Sequence, residues 1–266
     1  MNTDNWLYKS VHGWTDYFES IELNYDNDTS TKITYYDQCN TVLDNFTLNH
    51  YRAAIKEIYL YNDKTKLQIL EIKNLYNLCN NYSSIFIRRG DKLISEINFY
   101  NAGIYINLLL QKEPNCKRIF VQTDDYNAVV EAKEYVNKHH LDIEIITLCH
   151  EDTKGMVILS QQQPLLHNVL NNNSYSKNKN YILYNKNYLS KFKPVDKMNP
   201  DEIYNHTTQM LIGIDIVLHS NICVIDFESN VSRFIKLAHT NPNNVFDINN
   251  KFINFNQIAF PAYGFQ

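Results

Sequence analysis

The sequence has few glycines, and they lie far apart. Only six of the 266 residues are glycine, and no two of them are closer than thirteen residues. Loops that cradle phosphate with bare backbone, and the glycine-flanked serine turn of many hydrolases, need glycines within a few residues of one another. This spacing excludes those motifs, so a phosphate would have to be bound by side chains or by the start of a helix.

Cysteine pairs, excess positive charge and long apolar runs are also missing. The five cysteines form no C-x-x-C pair, which argues against a disulfide framework and a zinc site. The formal net charge is −4, so no basic field attracts nucleic acid. No run of about 18 apolar residues and no basic-then-apolar leader is present. We therefore expect a cytoplasmic protein with no transmembrane segment and no nucleic-acid partner.

From residue 83 onward, the pattern predicts strands and helices in alternation. Short apolar runs predict strands, and the segments between them have the spacing of helices, a pattern typical of βαβ units in a parallel sheet. The sequence thus predicts a doubly wound α/β domain over 81–266, with a polar, asparagine-rich insertion at about 161–197. Residues 1–80 are predicted to form a short, mostly helical region. The predicted strands cover 83–89, 118–123, 142–148, 222–227 and 245–248.

Charged side chains are concentrated where the first predicted strand ends. Guanidinium groups bind phosphate oxygens in bidentate fashion, so this cluster favours a diphosphate site. A carboxylate beside a lysine is suited to act as a general base towards a hydroxyl group. The cluster comprises Arg88, Arg89, Asp91, Lys92 and Glu96.

Two later strand-to-helix junctions have two interpretations each. Asp124 and Asp125 fit a helix N-cap and its acidic first turn, or a pair of carboxylates that hold arginines in position. Ser229 and Asn230 fit the cap of the last helix, or an anion site built from helix amides.

Taken together, these junctions resemble the core α-1,6-fucosyltransferases, within the superfamily of fucosyltransferases that use GDP-fucose. The resemblance spans roughly residues 83–262. It rests on motifs that occur in the same order: R-R-x-D-K-x-x-x-E at 88–96, T-D-D at 123–125, D-I-x-x-x-S at 215–220 and S-x-V-x-R at 229–233.

The resemblance implies a GT-B-like fold with a Rossmann-like nucleotide-sugar domain, and inverting transfer of fucose to a glycan acceptor without a metal or other cofactor. It implies that Arg88 binds the β-phosphate of the donor and that Glu96, assisted by Lys92, takes the proton from the acceptor hydroxyl. It also assigns Asp215 to guanine. The remaining implied donor-binding residues are Arg89, Asp91, Asp124, Asp125, Ser229, Asn230 and Arg233.

Two departures from the family pattern keep alternatives open. Phe86 stands where the core enzymes have a histidine, and Glu228 replaces a serine beside the proposed diphosphate. The glycine-containing motif of the family's amino-terminal half is absent from residues 1–80. A non-catalytic module that binds a sugar nucleotide or a glycan, and an enzyme that uses another GDP-sugar, are therefore the alternatives.

Overall fold

A computed structural model describes residues 10–20, 48–89, 98–153 and 197–249. Within these ranges five strands form: β1 (Ser83–Ile87), β2 (Arg118–Thr123), β3 (Glu144–Ile146), β4 (Cys223–Ile225) and β5 (Val245–Asp247). The helices are α1 (Leu48–Ile58), α2 (Asp63–Leu75), α3 (Ala102–Lys112), α4 (Tyr126–Lys138), α5 (Pro200–Leu218) and α6 (Asn230–Ala238), with 3-10 turns at Gly13–Asp16 and Pro242–Asn244.

The five strands form one parallel sheet in the order β3-β2-β1-β4-β5. In the centre of the sheet, Ile85 of β1 lies beside Val121 of β2 and Val224 of β4. The alternating pattern of strands and helices thus correctly predicted a doubly wound α/β sheet flanked by helices, which is a Rossmann-like arrangement.

The sheet is covered on both faces, which explains why β1, β2 and β4 each contain three consecutive apolar residues. Every residue of β1 is buried. Ile85 and Ile87 pack with α3 and α4 in one cluster, whereas Phe86 packs with α5 and α6 in the other. A strand that is buried on both faces needs apolar side chains at odd and even positions alike.

Side chains cap four helices at their N-termini, but not α6. Each of the four caps accepts a hydrogen bond from a backbone N–H of the first turn, as isolated helix ends require. The fifth N-cap, Ser229, makes no such bond through its side chain. The four capping residues are Asn62 for α2, Asn101 for α3, Asp125 for α4 and Asn199 for α5.

The described part of residues 1–80 shares a core with the sheet. Tyr17 and Phe18 are buried in the same cluster as Phe120 of β2. Arg52 of α1 donates to the carbonyls of Leu237 and His239, at distances of 2.6 and 3.0 Å, and so caps the C-terminal end of α6. The described part of residues 1–80 therefore packs on the side of the sheet that α5 and α6 cover. The predicted domain boundary near residue 80 stays a prediction.

Two further sequence predictions concern a transmembrane segment and the polar insertion. Among the described residues, no helix combines the length and the apolar character needed to cross a bilayer. The predicted insertion at 161–197 lies outside the described residues, apart from Lys197.

Gly103 provides a test of the packing between α3 and α4. A Cβ atom at this position would lie 2.3 Å from Cδ2 of Tyr135, whose ring is itself packed 4.2 Å from the ring of His139. We expect Gly103→Ala to lower the free energy of unfolding in urea by about 1–3 kcal/mol, because the ring has little room to withdraw. The double variant Gly103→Ala/Tyr135→Leu should lose less than the sum of the single losses. A Gly103→Ala protein as stable as the wild type would contradict this packing.

Candidate functional site

The candidate site lies at the carboxyl edge of the sheet, between β1 and β4. The chain passes from β1 to β2 on one side, whereas β4 and β5 lie on the other side, so this is the point at which the strand order reverses. Ligands of open α/β sheets bind in the crevice at such a point. Arg88 and Arg89 leave β1 here, beside the junction that leads from β4 into α6.

Arg89 is the most deeply buried charged side chain of this edge, with 1 % of its surface exposed. Its guanidinium group donates to both carboxylate oxygens of Glu131 on α4, at 3.1 and 2.6 Å, and to the carbonyl of Tyr100 at 3.2 Å. The ring of Phe99 lies 4.7 Å from the guanidinium carbon. Arg89 is therefore enclosed by protein and holds together the end of β1, α4 and the segment before α3.

Arg88 is the arginine of the pair that remains partly accessible. Its guanidinium group forms an ion pair with Asp124, the residue after β2, and also donates to the carbonyl of Arg89 at 3.2 Å. The other oxygen of Asp124 accepts the backbone N–H of Arg89 at 2.7 Å. Asp124 thus orients both arginines, as one of the two interpretations of this junction predicts.

Asp125 combines the two roles that the sequence left open. Its side chain caps α4 by accepting the N–H of Asn127 at 3.0 Å. A carboxylate oxygen of Asp125 also lies 3.8 Å from the guanidinium group of Arg89. The same carboxylate therefore serves the helix start and the buried arginine.

The start of α6 carries positive charge. Arg233 folds back over this helix end, donating to the carbonyl of Phe227 at 3.1 Å and to the side-chain oxygen of Asn230 at 3.2 Å. No acidic residue occupies the first turn. A helix N-terminus already has a partial positive charge, so the added guanidinium group makes this end attractive to an anion.

Carboxylates are also close to this junction. Asp226 and Asp247 are both buried, and Asp247 accepts the N–H of Phe227 at 3.0 Å. Asp226 accepts the N–H of Glu228 at 3.1 Å. Glu228 in turn accepts the backbone N–H and the side-chain amide of Asn98, at 3.3 and 3.4 Å. These bonds make the turn between β4 and α6 rigid.

Asp215 is not brought to the residues named above. It lies one turn before the end of α5, close to the start of β4, where Tyr82 donates to the neighbouring carbonyl of Ile216 at 2.8 Å. This is the edge of the sheet opposite to Arg88. There Asp215 pairs with Lys73 of α2 at 2.5 Å and with His219 at 3.4 Å.

The Asp215 cluster shifts two pKa values in opposite directions. Burial alone would raise the pKa of Asp215, but the hydrogen bond from His219 and the charge of Lys73 hold it below its ordinary value. The hydrogen bond to Asp215 raises the pKa of His219, against the effect of burial. The cluster stabilises the packing of α2 on α5.

Three of the predicted site residues, Asp91, Lys92 and Glu96, lie outside the described residues, so their roles stay predictions. Sequence reasoning assigned no role to Glu131, Asn98 or Lys73. The sequence E-A-K at 131–133, which follows the T-D-D motif along the chain, was the one available signal for Glu131. No sequence pattern distinguishes Asn98 or Lys73 from the many other asparagines and lysines.

Within the described ranges, no three His, Cys, Asp or Glu side chains are grouped so that they could hold a metal ion. Comparison with known protein families gives no matching family, and comparison with curated proteins gives no match either. The interpretation of the site therefore depends on its own geometry and on the sequence motifs.

The pair of Arg89 and Glu131 provides a stability test. We expect Glu131→Gln to lower the free energy of unfolding in urea by about 3–5 kcal/mol, because a buried guanidinium group loses the nearer of its two carboxylate partners. The exposed pair of Lys117 and Asp142 is the matched control, and Asp142→Asn should leave the free energy of unfolding nearly unchanged. Equal effects of the two substitutions would contradict the conclusion that buried Arg89 holds together the end of β1, α4 and the segment before α3.

The pair of His219 and Asp215 gives a pH-dependent prediction. Because the pKa of His219 is raised in the folded state, its contribution to stability is full below its unfolded pKa and is lost as the pH rises through the raised value. The stability difference between wild type and His219→Gln should therefore be larger at about pH 5.5 than at about pH 9. In an Asp215→Asn background this pH dependence should disappear. A difference that grows with pH would contradict the assignment.

Proposed function

We propose that this protein is a glycosyltransferase that transfers fucose from GDP-fucose to a glycan hydroxyl, with inversion and without a metal. Three features support the proposal: the ordered fucosyltransferase-like motifs, the Rossmann-like sheet, and the grouping of Arg88 and the α6 start at the carboxyl edge. In this proposal, the described domain is the nucleotide-sugar half of a GT-B-like enzyme.

The observation that carries the proposal is the combination of positive groups around the β1–β4 crevice. Arg88 leaves β1 on one side, and the α6 start with Arg233 lies on the other. Ile85 pairs with Val224, so Arg88 and Phe227 each follow that pair by three residues and leave the sheet side by side. A diphosphate bridging these groups would meet two guanidinium groups and a helix dipole.

This arrangement suits the departure of a nucleoside diphosphate. In the transfer, the acceptor oxygen bonds to the anomeric carbon of fucose, and the bond from that carbon to the β-phosphate oxygen breaks. The electron pair of the broken bond stays on GDP, where Arg88, Arg233 and the α6 amides neutralise the developing charge. The acceptor proton goes to the carboxylate of Glu96, in keeping with the general-base role assigned to it.

The roles of the other predicted donor residues divide in two. Ser229 and Asn230 present the first amides of α6 to the diphosphate, whereas Asp124 and Asp125 orient the arginines. In this proposal, Arg89 holds the surrounding elements in place and does not contact the donor. Asp215 makes no contact with this crevice, so guanine recognition is not assigned to it.

A non-catalytic binding module is the second candidate, and two observations favour it. Phe86 is buried in the core on the α5 side of the sheet, so no polar side chain at this position reaches the donor. The Glu228 carboxylate lies next to the proposed diphosphate and opposes it electrostatically. Such a module would bind a GDP-sugar or a glycan without turnover.

Substitution at two positions separates donor binding from catalysis. We expect Arg88→Ala to weaken GDP binding by about 10- to 100-fold, because a charge-assisted hydrogen bond is lost. We expect Glu96→Gln to bind GDP like the wild type but to slow transfer by about 100- to 10,000-fold, because the proton acceptor is lost. Calorimetric titration of GDP and an assay of fucose transfer measure the two effects.

Lys117→Ala is the control, because Lys117 is an exposed cation that precedes β2 at the other edge of the sheet. It should bind GDP like the wild type.

Full transfer by Glu96→Gln would contradict the assigned base. Binding of GDP-fucose without transfer or hydrolysis would favour the module, and absence of binding to any GDP-sugar in a thermal-shift screen would exclude both candidates.

A further inference from the structure

Large apolar side chains that remain exposed are concentrated in one stretch of the described chain. Of nine such side chains, six lie between residues 58 and 76. Leu67, Leu70 and Leu75 of α2 have 60, 53 and 72 % of their surface exposed. A single exposed leucine is ordinary, but several on one helix mark a surface for association. The six residues are Ile58, Leu60, Leu67, Leu70, Leu75 and Tyr76.

The exposed leucines of α2 lie opposite to its buried residues. At 3.6 residues per turn, buried Thr65 and Ile69 are each about 160° from Leu67 around the helix axis. Leu70 is only about 60° from Leu67, so the two leucines share the outer side of the helix. This side of α2 therefore makes no contribution to the core shared with the sheet.

Two opposite charges border these leucines. Lys64 and Glu71 are both exposed, and both lie on the same flank within about 60° of Leu67 around the helix axis. The ammonium group of Lys64 lies 4.0 Å from the centre of the Tyr204 ring, which holds it beside the helix. We call the surface formed by Lys64, Leu67, Leu70 and Glu71 the Leu67 face. With one positive and one negative group on one flank, this face can complement a second copy of itself.

We propose that the Leu67 face is the contact surface of a homodimer, in which α2 packs antiparallel against α2 of a second copy. In a two-fold pair, each contact between two different residues occurs twice. When Leu67 is placed against Leu70 of the second copy, Leu70 meets the second Leu67 in turn. The antiparallel direction then brings Lys64 of each copy opposite Glu71 of the other. The same short surface thus supplies the apolar contact and both members of two ion pairs.

The other flank of the helix pair does not oppose this arrangement. Lys66 and Lys73 of the two copies would face each other there, but each lysine has an acidic partner in its own copy. Lys66 bonds to Glu19 at 2.6 Å, and Lys73 bonds to Asp215 at 2.5 Å. The positive charges of this flank are therefore neutralised before the helices meet.

The size of the surface sets the expected strength of the dimer. Stable protein interfaces bury about 800 Å² on each partner. The helix α2 has 13 residues and is therefore about 20 Å long, which offers less than this area. We therefore expect reversible association, with a mass that depends on protein concentration.

Sedimentation equilibrium at about 10 µM to 1 mM protein tests whether the Leu67 face associates. The wild type should approach the mass of a dimer as its concentration rises. Leu67→Lys should raise the dissociation constant by about 10-fold or more, because each copy buries a charge in the apolar contact. Ile104→Lys is the matched control, because Ile104 is an exposed apolar residue of α3, which packs on the other face of the sheet. It should leave the dissociation constant unchanged.

Charge exchange tests the antiparallel direction. Lys64→Glu alone and Glu71→Lys alone should each raise the dissociation constant by about 3- to 10-fold, because like charges then face each other. When these two variants are mixed in equal amounts, they should form a heterodimer as readily as the wild type pairs with itself, because every facing pair again has opposite charges. The double variant Lys64→Glu/Glu71→Lys should regain the wild-type dissociation constant for the same reason.

Several results would overturn the proposal. These are a wild type that stays monomeric over the whole concentration range, a dimer that Leu67→Lys does not weaken, and mixed charge variants that associate no better than each variant alone. A monomer whose free energy of unfolding falls in Leu67→Lys would show that the chain itself covers this face, and would also contradict the dimer. Circular dichroism verifies that each variant is folded. Since no step of the test uses GDP, its outcome is independent of the proposed function.

Discussion

The carboxyl edge of the sheet depends on the burial of one guanidinium group. Arg89 is taken out of water, at a cost of several kcal/mol for the isolated charge, and is compensated by Glu131, Asp125 and the carbonyl of Tyr100. Glu131 and Asp125 belong to α4 and its N-cap, and Tyr100 belongs to the segment before α3. The contacts of Arg89 therefore fix where α3 and α4 begin relative to β1. The direction of Arg88, the adjacent residue, follows from this anchoring because its own side chain bonds to the carbonyl of Arg89.

Around this anchor, the edge is organised as a mixture of opposite charges. Arg88 meets Asp124, Arg233 meets the carbonyl of Phe227, and the carboxylates of Asp226 and Asp247 hold the backbone of the β4–α6 turn. Carboxylates bonded to N–H groups or guanidinium groups act as scaffolding. The charge near α6 is therefore the balance of Arg88, Arg233 and the helix dipole against Glu228, and the proposed binding of a diphosphate depends on this balance.

The sheet was predictable from sequence because its signals are local. Each strand is a short apolar run, each helix has its own period, and strict alternation leaves few topologies. The run at 118–123 matches β2 residue for residue. Strand ends were less accurate: the run at 222–227 shortens to Cys223–Ile225, because the carboxylate of Asp226 turns to bond the backbone of Glu228.

The site was only partly predictable, because its contacts join residues that are distant in sequence. The structure brings Arg88, Arg89, Asp124 and Asp125 together, and their role in donor binding stays a prediction. The partner of Arg89, Glu131, and the partner of Glu228, Asn98, follow from helix packing and from the order of strands, which no local pattern encodes. Asp215 illustrates the same limit: its motif is intact, but the length of α5 places it at the opposite edge, next to Lys73.

The order of strands also has a consequence for synthesis of the chain. Ser84 of β1 pairs with Phe120 on one side and with Cys223 on the other. While the ribosome has made only the first half of the chain, β1, β2 and β3 can pair, but β1 keeps one edge of N–H and C=O groups open. That edge belongs to a strand whose residues are all buried in the folded protein and include Ile85, Phe86 and Ile87, and an exposed edge of this kind associates with other strands. The nascent protein is thus exposed to aggregation until β4 emerges and occupies the centre of the sheet.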